Sequence, residues 1–194
     1  MPFVGLTGGM GAGKSTALQA LAGLGAEVLS SDQVVHELYE GEELRAPVVA
    51  RFGEEVAPGG VVDRAAVARR AFASAEDRAW LEGVVWPLVG ARVAGWLERV
   101  RAQRPPPRAA VVEVPLLFEA GLERLYDATI AVIADESVRR RRADARGHAL
   151  ADERAARQLS QQEKAERATY VVHNDGSEQD LQRELSVVLD KLGA

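Results

Sequence analysis

The chain opens, over residues 3–16, with Phe3-Val4-Gly5-Leu6-Thr7-Gly8-Gly9-Met10-Gly11-Ala12-Gly13-Lys14-Ser15-Thr16. The apolar run at its start has the length of one buried strand, and a glycine-rich loop follows it. After the loop, Leu18 and Leu21 recur at helical spacing. The stretch therefore predicts a strand, a loop and a helix, and the rest of the chain is interpreted around this unit.

Residues 8–15 fit the phosphate-binding pattern G-x-x-x-x-G-K-[ST] at every fixed position. Glycines allow backbone N–H groups to face an anion, and the helix that follows adds the positive end of its dipole. Lys14 would reach the β- and γ-phosphates of ATP, and the Ser15 hydroxyl would bind the accompanying Mg²⁺. A flexible glycine turn with an incidental lysine is the alternative, which the strand before and the helix after disfavour. The predicted nucleotide-binding residues are Gly8, Gly9, Met10, Gly11, Ala12, Gly13, Lys14, Ser15 and Thr16.

Length and composition exclude several classes of protein. The 194 residues suit one domain, or one domain with an insertion, and the formal net charge of −5 argues against a general nucleic-acid binder. The sequence has no cysteine, which excludes disulfides and thiolate metal sites. The first strand begins too early to leave room for a signal peptide, and no apolar run is long enough to span a membrane. We therefore expect a cytoplasmic protein without a nucleic-acid or membrane partner.

Asp32 ends a second short strand, predicted over residues 26–32 after glycines that end the first helix. Functional groups in an open parallel sheet collect beyond the carboxyl ends of its strands, where the phosphate-binding loop is also expected. Asp32 is therefore a candidate for chemistry. The alternative is that it caps a helix over Gln33–Tyr39.

The region between the second and third strands is predicted to be helical. Residues 41–62 are rich in glycine, proline and charge and favour turns that link short helices. Asp63 is expected to cap a helix that extends to Phe72, and a second helix is expected from about Ala75 to Val100. Such an insertion would bind the phosphoryl acceptor of a nucleotide kinase, although its tryptophans Trp80, Trp86 and Trp96 are interpreted individually as core residues.

Three further strands are expected, over residues 109–114, 126–134 and 169–174, and a terminal amphipathic helix over Gln179–Leu192. Arginines recur between the last two strands, where Arg142 shares a helical face with Arg139 and with Arg146. Such a face could close over a triphosphate and neutralise charge that develops during transfer. A solvated basic face without a function is the alternative, and nucleic-acid binding is disfavoured by the acidic total.

Several motifs together resemble the dephospho-CoA kinase family, and the resemblance covers essentially the whole chain. They are the phosphate-binding loop, Asp32, Gly60-Val61-Val62-Asp63-Arg64, Pro115-Leu116-Leu117-Phe118-Glu119 and Val172-His173-Asn174-Asp175-Gly176. The loop is shared by many enzymes, whereas the Gly-x-x-Asp-Arg and Pro-Leu-Leu-Phe-Glu motifs together are specific. Two positions depart from the family: Trp86-Pro87 stands where His-Pro is usual, and Thr169 replaces the usual acid before the fifth strand.

The alternation of strands and helices already predicts an α/β fold with a parallel sheet. The resemblance implies the P-loop NTPase or nucleotide-kinase-like three-layer fold, with five parallel strands, a helical acceptor-binding insertion and a lid. We expect one kinase unit over residues 1–194. Its nucleotide-binding core would comprise residues 1–40, 105–136 and 150–194, its acceptor insertion residues 41–104 and its lid residues 137–149.

The resemblance implies transfer of the ATP γ-phosphate to the 3′-hydroxyl of dephospho-CoA, the last step of coenzyme A biosynthesis. By position, Asp32 matches the acid of the family, Arg142 and Arg146 match its lid arginines, and Asn174 matches the asparagine near the adenine. Lys14 completes the predicted catalytic set. The residues expected to contact the acceptor are Asp32, Arg64, Leu117 and Glu119.

Two other functions are compatible with the sequence. One is a P-loop kinase that acts on a nucleoside or nucleotide, which a panel of acceptors would distinguish. The other is a regulatory NTPase, which no acceptor would accelerate. ATP and Mg²⁺ are the expected cofactors, dephospho-CoA is the expected small-molecule partner, and the protein is expected to be a monomer or a small homo-oligomer.

Overall fold

A computed structural model of the protein describes residues 1–144 and 158–193. The chain divides into two compact units. The first takes its described residues from Met1–Ser30 and Arg99–Ala194, and the second consists of Ser31–Glu98.

The first unit contains a five-stranded parallel sheet, as predicted. Its strands are β1 (Phe3–Gly8), β2 (Glu27–Ser30), β3 (Ala110–Glu113), β4 (Ala128–Ile133) and β5 (Tyr170–His173), in the spatial order β2-β3-β1-β4-β5. All residues of β1 and β3 are buried, which is typical of a parallel sheet that is covered on both faces. β1 is the central strand, and the phosphate-binding loop follows its carboxyl end.

The α-helices of the described residues connect these strands, and four of them follow one another between β2 and β3. They are α1 (Lys14–Gly23), α2 (Ser31–Glu40), α3 (Glu42–Phe52), α4 (Arg64–Ala73), α5 (Ala75–Ala102), α6 (Glu136–Asp144), α7 (Gln161–Arg167) and α8 (Glu178–Leu192). No helix within the described ranges combines the length and the apolar character that a membrane span requires.

The main core lies between the sheet and the helices α1 and α8. Val4 and Leu6 of β1 pack there with Leu21 of α1 and Leu185 of α8, and all four are fully buried. The other face of the sheet is covered by α7 and by residues 115–126, where Tyr126 packs against Phe3 with ring centroids 4.6 Å apart. The sheet therefore forms the middle of three layers.

Thr169 stands immediately before β5 and pairs with Thr129 of β4. The Thr169 Oγ1 accepts from the Thr129 amide, and the Thr129 Oγ1 accepts from the Thr169 amide, each at 3.0 Å. The hydroxyl that replaces the usual acid of the family therefore joins the start of β5 to its neighbour.

The second unit is helical and differs from the sequence-based prediction at α3. Residues 41–62 were expected to form turns between short helices, but Glu42–Phe52 form a helix of 11 residues that contains Pro47. Leu44 and Val48 are both fully buried and lie one turn apart, so burial of this face compensates for the hydrogen bond that proline cannot donate.

The tryptophans of this unit differ in burial. Trp96 is buried, and Trp80 packs edge-on against Phe52 with ring centroids 5.4 Å apart. Trp86, however, is 52% exposed, so the interpretation of all three rings as core residues is wrong for this one.

Asp63 caps α4, as the sequence predicts. Its Oδ1 accepts from the amides of Ala65 and Ala66, at 2.9 and 3.2 Å. We expect Asp63→Ala to lower the free energy of unfolding by about 1 kcal/mol, because the first turn of α4 loses its acceptor. Urea unfolding followed by circular dichroism measures this change. Asp63→Asn, which can still cap, should stay close to the wild type, and equal losses in both variants would contradict a capping role.

Candidate active site

The phosphate-binding loop connects β1 to α1 with the backbone geometry that anion binding requires. Gly11 and Gly13 have φ angles of +74° and +90°, in the left-handed region that favours glycine. Within the loop the Ala12 amide donates to the Gly9 carbonyl at 3.2 Å. α1 begins at Lys14, so its unpaired first-turn amides follow the loop directly.

Two glycines of the loop leave no space for a side chain. A Cβ on Gly8 would lie 2.4 Å from the backbone oxygen of Val132 in β4, and a Cβ on Gly11 would lie 2.6 Å from that of Arg139 in α6. Backbone cannot yield as the end of a flexible side chain can. β4 and α6 therefore hold the loop between them.

Asn174 holds the carboxyl end of the loop. Its Nδ2 donates to the Ala12 carbonyl at 2.8 Å and occupies the position that a Cβ on Gly13 would need. In turn, Arg142 Nη1 donates to the Asn174 carbonyl at 3.1 Å. The structure thus brings the loop, Arg142 and Asn174 together.

Lys14 and Ser15 differ in orientation. Lys14 bends back over the loop, and its Nζ donates to the carbonyl oxygens of Gly8 and Gly9 at 3.1 and 3.3 Å. Ser15 lies in the first turn of α1 and is exposed, whereas Thr16 is partly buried. The Lys14 ammonium therefore lies at the start of the loop, and Ser15 is accessible from solvent.

Two residues at the loop were not assigned to the site from the sequence. Arg139 Nε donates to the Met10 carbonyl at 2.9 Å. Gln161 binds the Ala134 backbone through both ends of its amide, at 2.8 and 3.0 Å, and its Cγ lies 3.1 Å from the position of a Cβ on Gly9. The helical face that Arg139 shares with Arg142 could have indicated Arg139. No sequence pattern indicates Gln161.

A cavity of about 350 Å³ lies beside the start of the loop. Its lining residues are Gly9, Met10, Glu136, Arg139, Gln158, Leu159, Ser160, Gln161 and Gln162. The cavity is therefore lined by the loop, by α6 and by the residues that lead into α7. The second predicted lid arginine, Arg146, lies outside the described residues.

Lys164 of α7 is a buried cation beneath the loop. Its Nζ pairs with Glu119 Oε1 at 2.9 Å and donates to the Pro115 carbonyl at 2.7 Å and to Thr7 Oγ1 at 3.4 Å. The side chain of Lys164 is fully buried, and this burial lowers its pKa against the opposing influence of Glu119. Lys164 thus connects the carboxyl end of β1 to the segment after β3.

The predicted acceptor residues Leu117 and Glu119 lie in that segment. Leu117 is fully buried, and its Cδ2 lies 3.1 Å from the position of a Cβ on Gly5. Glu119 Oε1 accepts from the Leu159 amide at 2.8 Å in addition to its ion pair. In the structure the side chains of Leu117 and Glu119 therefore both contact other residues of the first unit.

Asp32 and Arg64 belong to the helical unit. α2 begins at Ser31, so the exposed Asp32 lies within the first turn of the helix, and the alternative that it is the N-cap of a helix starting at Gln33 is wrong. Arg64 Nη1 lies 2.7 Å from His36 Nδ1, and its guanidinium lies 5.4 Å from the centroid of the Tyr39 ring. Arg64 is also exposed.

A double-mutant cycle tests whether Lys164 and Glu119 stabilise the protein as a pair. We expect Lys164→Met to lower the free energy of unfolding by about 3 kcal/mol, because the Glu119 carboxylate loses its buried partner. Lys164→Met combined with Glu119→Leu should restore most of that loss, because no buried charge remains unpaired. Urea unfolding gives the values, and additive effects of the two substitutions would contradict coupling.

The sequence matches known proteins over nearly its whole length. The family model described as CoaE, dephospho-CoA kinase, matches residues 2–180. A dephospho-CoA kinase of Rhizobium meliloti (strain 1021) is 39% identical over 197 residues, which cover 100% of both chains.

Solved structures have the same fold. The crystal structure of TT1252 from Thermus thermophilus has a TM-score of 0.81 and 36% identity, and the match covers 100% of this chain and 99% of that one. A dephospho-CoA kinase from Campylobacter jejuni has a TM-score of 0.71 at 22% identity, with 98% and 96% of the two chains covered. The family match, the near full-length relative and the geometry of the loop agree, and this chain belongs to the dephospho-CoA kinase family.

Proposed function

We propose that this protein transfers the γ-phosphoryl group of ATP to the ribose 3′-hydroxyl of dephospho-CoA, with Mg²⁺, to give CoA and ADP. The observation that carries the proposal is the phosphate-binding loop with Lys14 folded over its start and Arg142 beside its end. The cytoplasmic location and the monomeric or small homo-oligomeric state stay predictions from the sequence.

The loop and Lys14 bind the phosphates of ATP in this proposal. Backbone amides of residues 8–13 and the first turn of α1 face the phosphate oxygens, and the ammonium of Lys14 spans the β- and γ-phosphates. Phosphoryl transfer requires mainly positioning and neutralisation of charge. Arg142, together with the predicted Arg146, would stabilise the negative charge of the transferring group.

Ser15 is the residue that would hold Mg²⁺. This ion usually keeps several waters and takes one or two protein ligands together with phosphate oxygens. The accessible hydroxyl of Ser15 fits that requirement. Among the described residues no group of three or more acidic, histidine or cysteine side chains is placed to hold a metal ion.

Asp32 would accept or orient the proton of the acceptor hydroxyl, which supplies the attacking oxygen. The predicted acceptor insertion, residues 41–104, would bind dephospho-CoA. Within it, the exposed guanidinium of Arg64 suits a phosphate group of this acceptor. Leu117 and Glu119 are proposed to contact dephospho-CoA from the segment after β3. Asn174 is proposed to contact the adenine side of ATP.

One assay tests the function directly. Purified protein is incubated with ATP, Mg²⁺ and dephospho-CoA, and mass spectrometry follows the acceptor for the gain of one phosphate. Parallel reactions replace dephospho-CoA with nucleosides and nucleotides. Phosphorylation of another acceptor alone would identify a different kinase, and ATP turnover that no acceptor accelerates would identify a regulatory NTPase.

We expect Lys14→Ala to lower kcat by about 100-fold or more, because the loop loses the ammonium group that would contact the β- and γ-phosphates during transfer. Steady-state kinetics and a thermal melt measure activity and folding together. The matched control is Lys191→Ala, which removes an exposed lysine from α8 and should leave kcat unchanged. A folded Lys14→Ala variant with near-normal kcat would exclude Lys14 from the mechanism.

We expect Asp32→Asn to lower kcat by about 100-fold while the melting temperature barely moves, since an amide cannot accept the hydroxyl proton. Loss of a negative charge from the first turn of α2 has only a small effect on stability. Glu37→Gln neutralises an exposed carboxylate on the same helix and serves as the control. Similar kcat values for both variants and the wild type would remove Asp32 from the chemistry.

A further inference from the structure

Arg139 of α6 lies against the phosphate-binding loop. Its backbone packs against Gly11, where a Cβ would lie 3.0 Å from the Arg139 Cα, and its side chain reaches back to the start of the loop. There Nε donates to the Met10 carbonyl. One residue therefore supports the middle of the loop with its backbone and brings a guanidinium to its beginning.

The contact through Nε leaves the two terminal nitrogens of the guanidinium for another acceptor. Nη2 lies 3.3 Å from the position of a Cβ on Gly9, so these nitrogens are beside the Gly9 backbone. Within residues 1–144 and 158–193 no hydrogen bond or ion pair joins Nη1 or Nη2 to an acceptor. The guanidinium is thus oriented by one nitrogen and can donate with the others.

The position of Lys14 indicates which part of a nucleotide would lie here. Lysines of this loop pattern reach the β- and γ-phosphates. Lys14 Nζ lies within 3.3 Å of the Gly8 and Gly9 carbonyl oxygens, so the ammonium and the Arg139 guanidinium are both at Gly9. Arg139 is therefore at the end of the site where the terminal phosphate is expected.

The charges around Arg139 favour an anionic occupant. Arg139 lines the 350 Å³ cavity beside the loop together with Glu136, the acidic residue among the described lining residues. Glu136 forms an ion pair with Arg140 on the outer side of α6, which offsets its charge. An arginine keeps its positive charge over the whole range of working pH and binds phosphate oxygens through paired donors.

We propose that Arg139 is a further catalytic residue, whose Nη groups contact the γ-phosphoryl group of ATP during transfer. This inference rests on the proposed function. As the bond from the γ-phosphorus to the bridging oxygen of ADP breaks, a bond to the acceptor oxygen forms and the hydroxyl proton passes to Asp32. Arg139 exchanges no atom or electron in this step and stabilises the charge on the transferring oxygens.

The test compares Arg139→Gln with Arg141→Gln, which removes an exposed arginine two positions further along the same helix. Calorimetry measures the dissociation constants of ATP and ADP, and steady-state kinetics measures kcat. For Arg139→Gln we expect the preference for ATP over ADP to fall by about tenfold and kcat to fall by about 10- to 100-fold. Arg141→Gln should stay within about twofold of the wild type in each quantity.

A purely structural role predicts a different result. If Arg139 only clamps the Met10 carbonyl, ATP and ADP should lose affinity by the same factor, and this outcome would overturn the proposal, as would an unchanged kcat. Arg139→Ala offers a second readout that does not depend on the glutamine variant. Added guanidinium ion should raise kcat of Arg139→Ala and not that of Lys14→Ala, and absence of this rescue counts against the proposal.

The design separates this inference from the proposed function. Wild-type protein that fails to phosphorylate dephospho-CoA would refute the proposed function. The comparison of ATP with ADP would still decide the role of Arg139, because binding of the two nucleotides needs no acceptor.

Discussion

The constraint on which the active site depends is the lack of space around three glycines of the phosphate-binding loop. Backbone or side-chain atoms of distant residues occupy the positions that Cβ atoms would need at Gly8, Gly11 and Gly13. These neighbours are Val132, Arg139 and Asn174. The loop therefore gains its rigidity from β4, α6 and the residue after β5, and only glycine allows all three to approach at once.

The balance of charge at the loop differs from that of the whole chain. The protein has a formal net charge of −5, yet Lys14 and Arg139 donate to carbonyl oxygens of the loop, and Arg142 donates to the carbonyl of Asn174, which holds the loop. The ion pair of Lys164 and Glu119 adds no net charge and joins α7 to the segment after β3. Positive charge is therefore concentrated at the loop although the chain as a whole is acidic.

The sequence was sufficient to predict the parts of the fold that depend on local patterns. The first strand, the glycine loop, the Asp63 cap and the long helix after it follow from burial periodicity and capping chemistry, and the structure confirms them. α3 was missed because Pro47 and the surrounding glycines indicate turns, whereas burial of Leu44 and Val48 maintains the helix. Long-range burial of that kind leaves no local trace.

Of the candidate site, only the part that a local sequence pattern defines was predictable. The phosphate-binding pattern identified the loop itself, but the clamp by Asn174, the contact of Arg139 and the burial of Lys164 each join residues more than 100 positions apart. Lys164 stands in a polar helix whose sequence, Gln161–Arg167, reads as a solvated surface. Only the packing of α7 against the sheet shows that this ammonium is enclosed.

The hydrogen bond from Asn174 to the Ala12 carbonyl spans 162 positions of the chain, so it can form only after nearly the whole chain has been synthesised. A ribosome synthesises the loop first, but β1 gains its neighbours only with β3 and β4, and the clamp only with Asn174. Until then the nascent loop lacks the contacts that orient its amides. The loop therefore completes its set of contacts only in the nearly finished polypeptide.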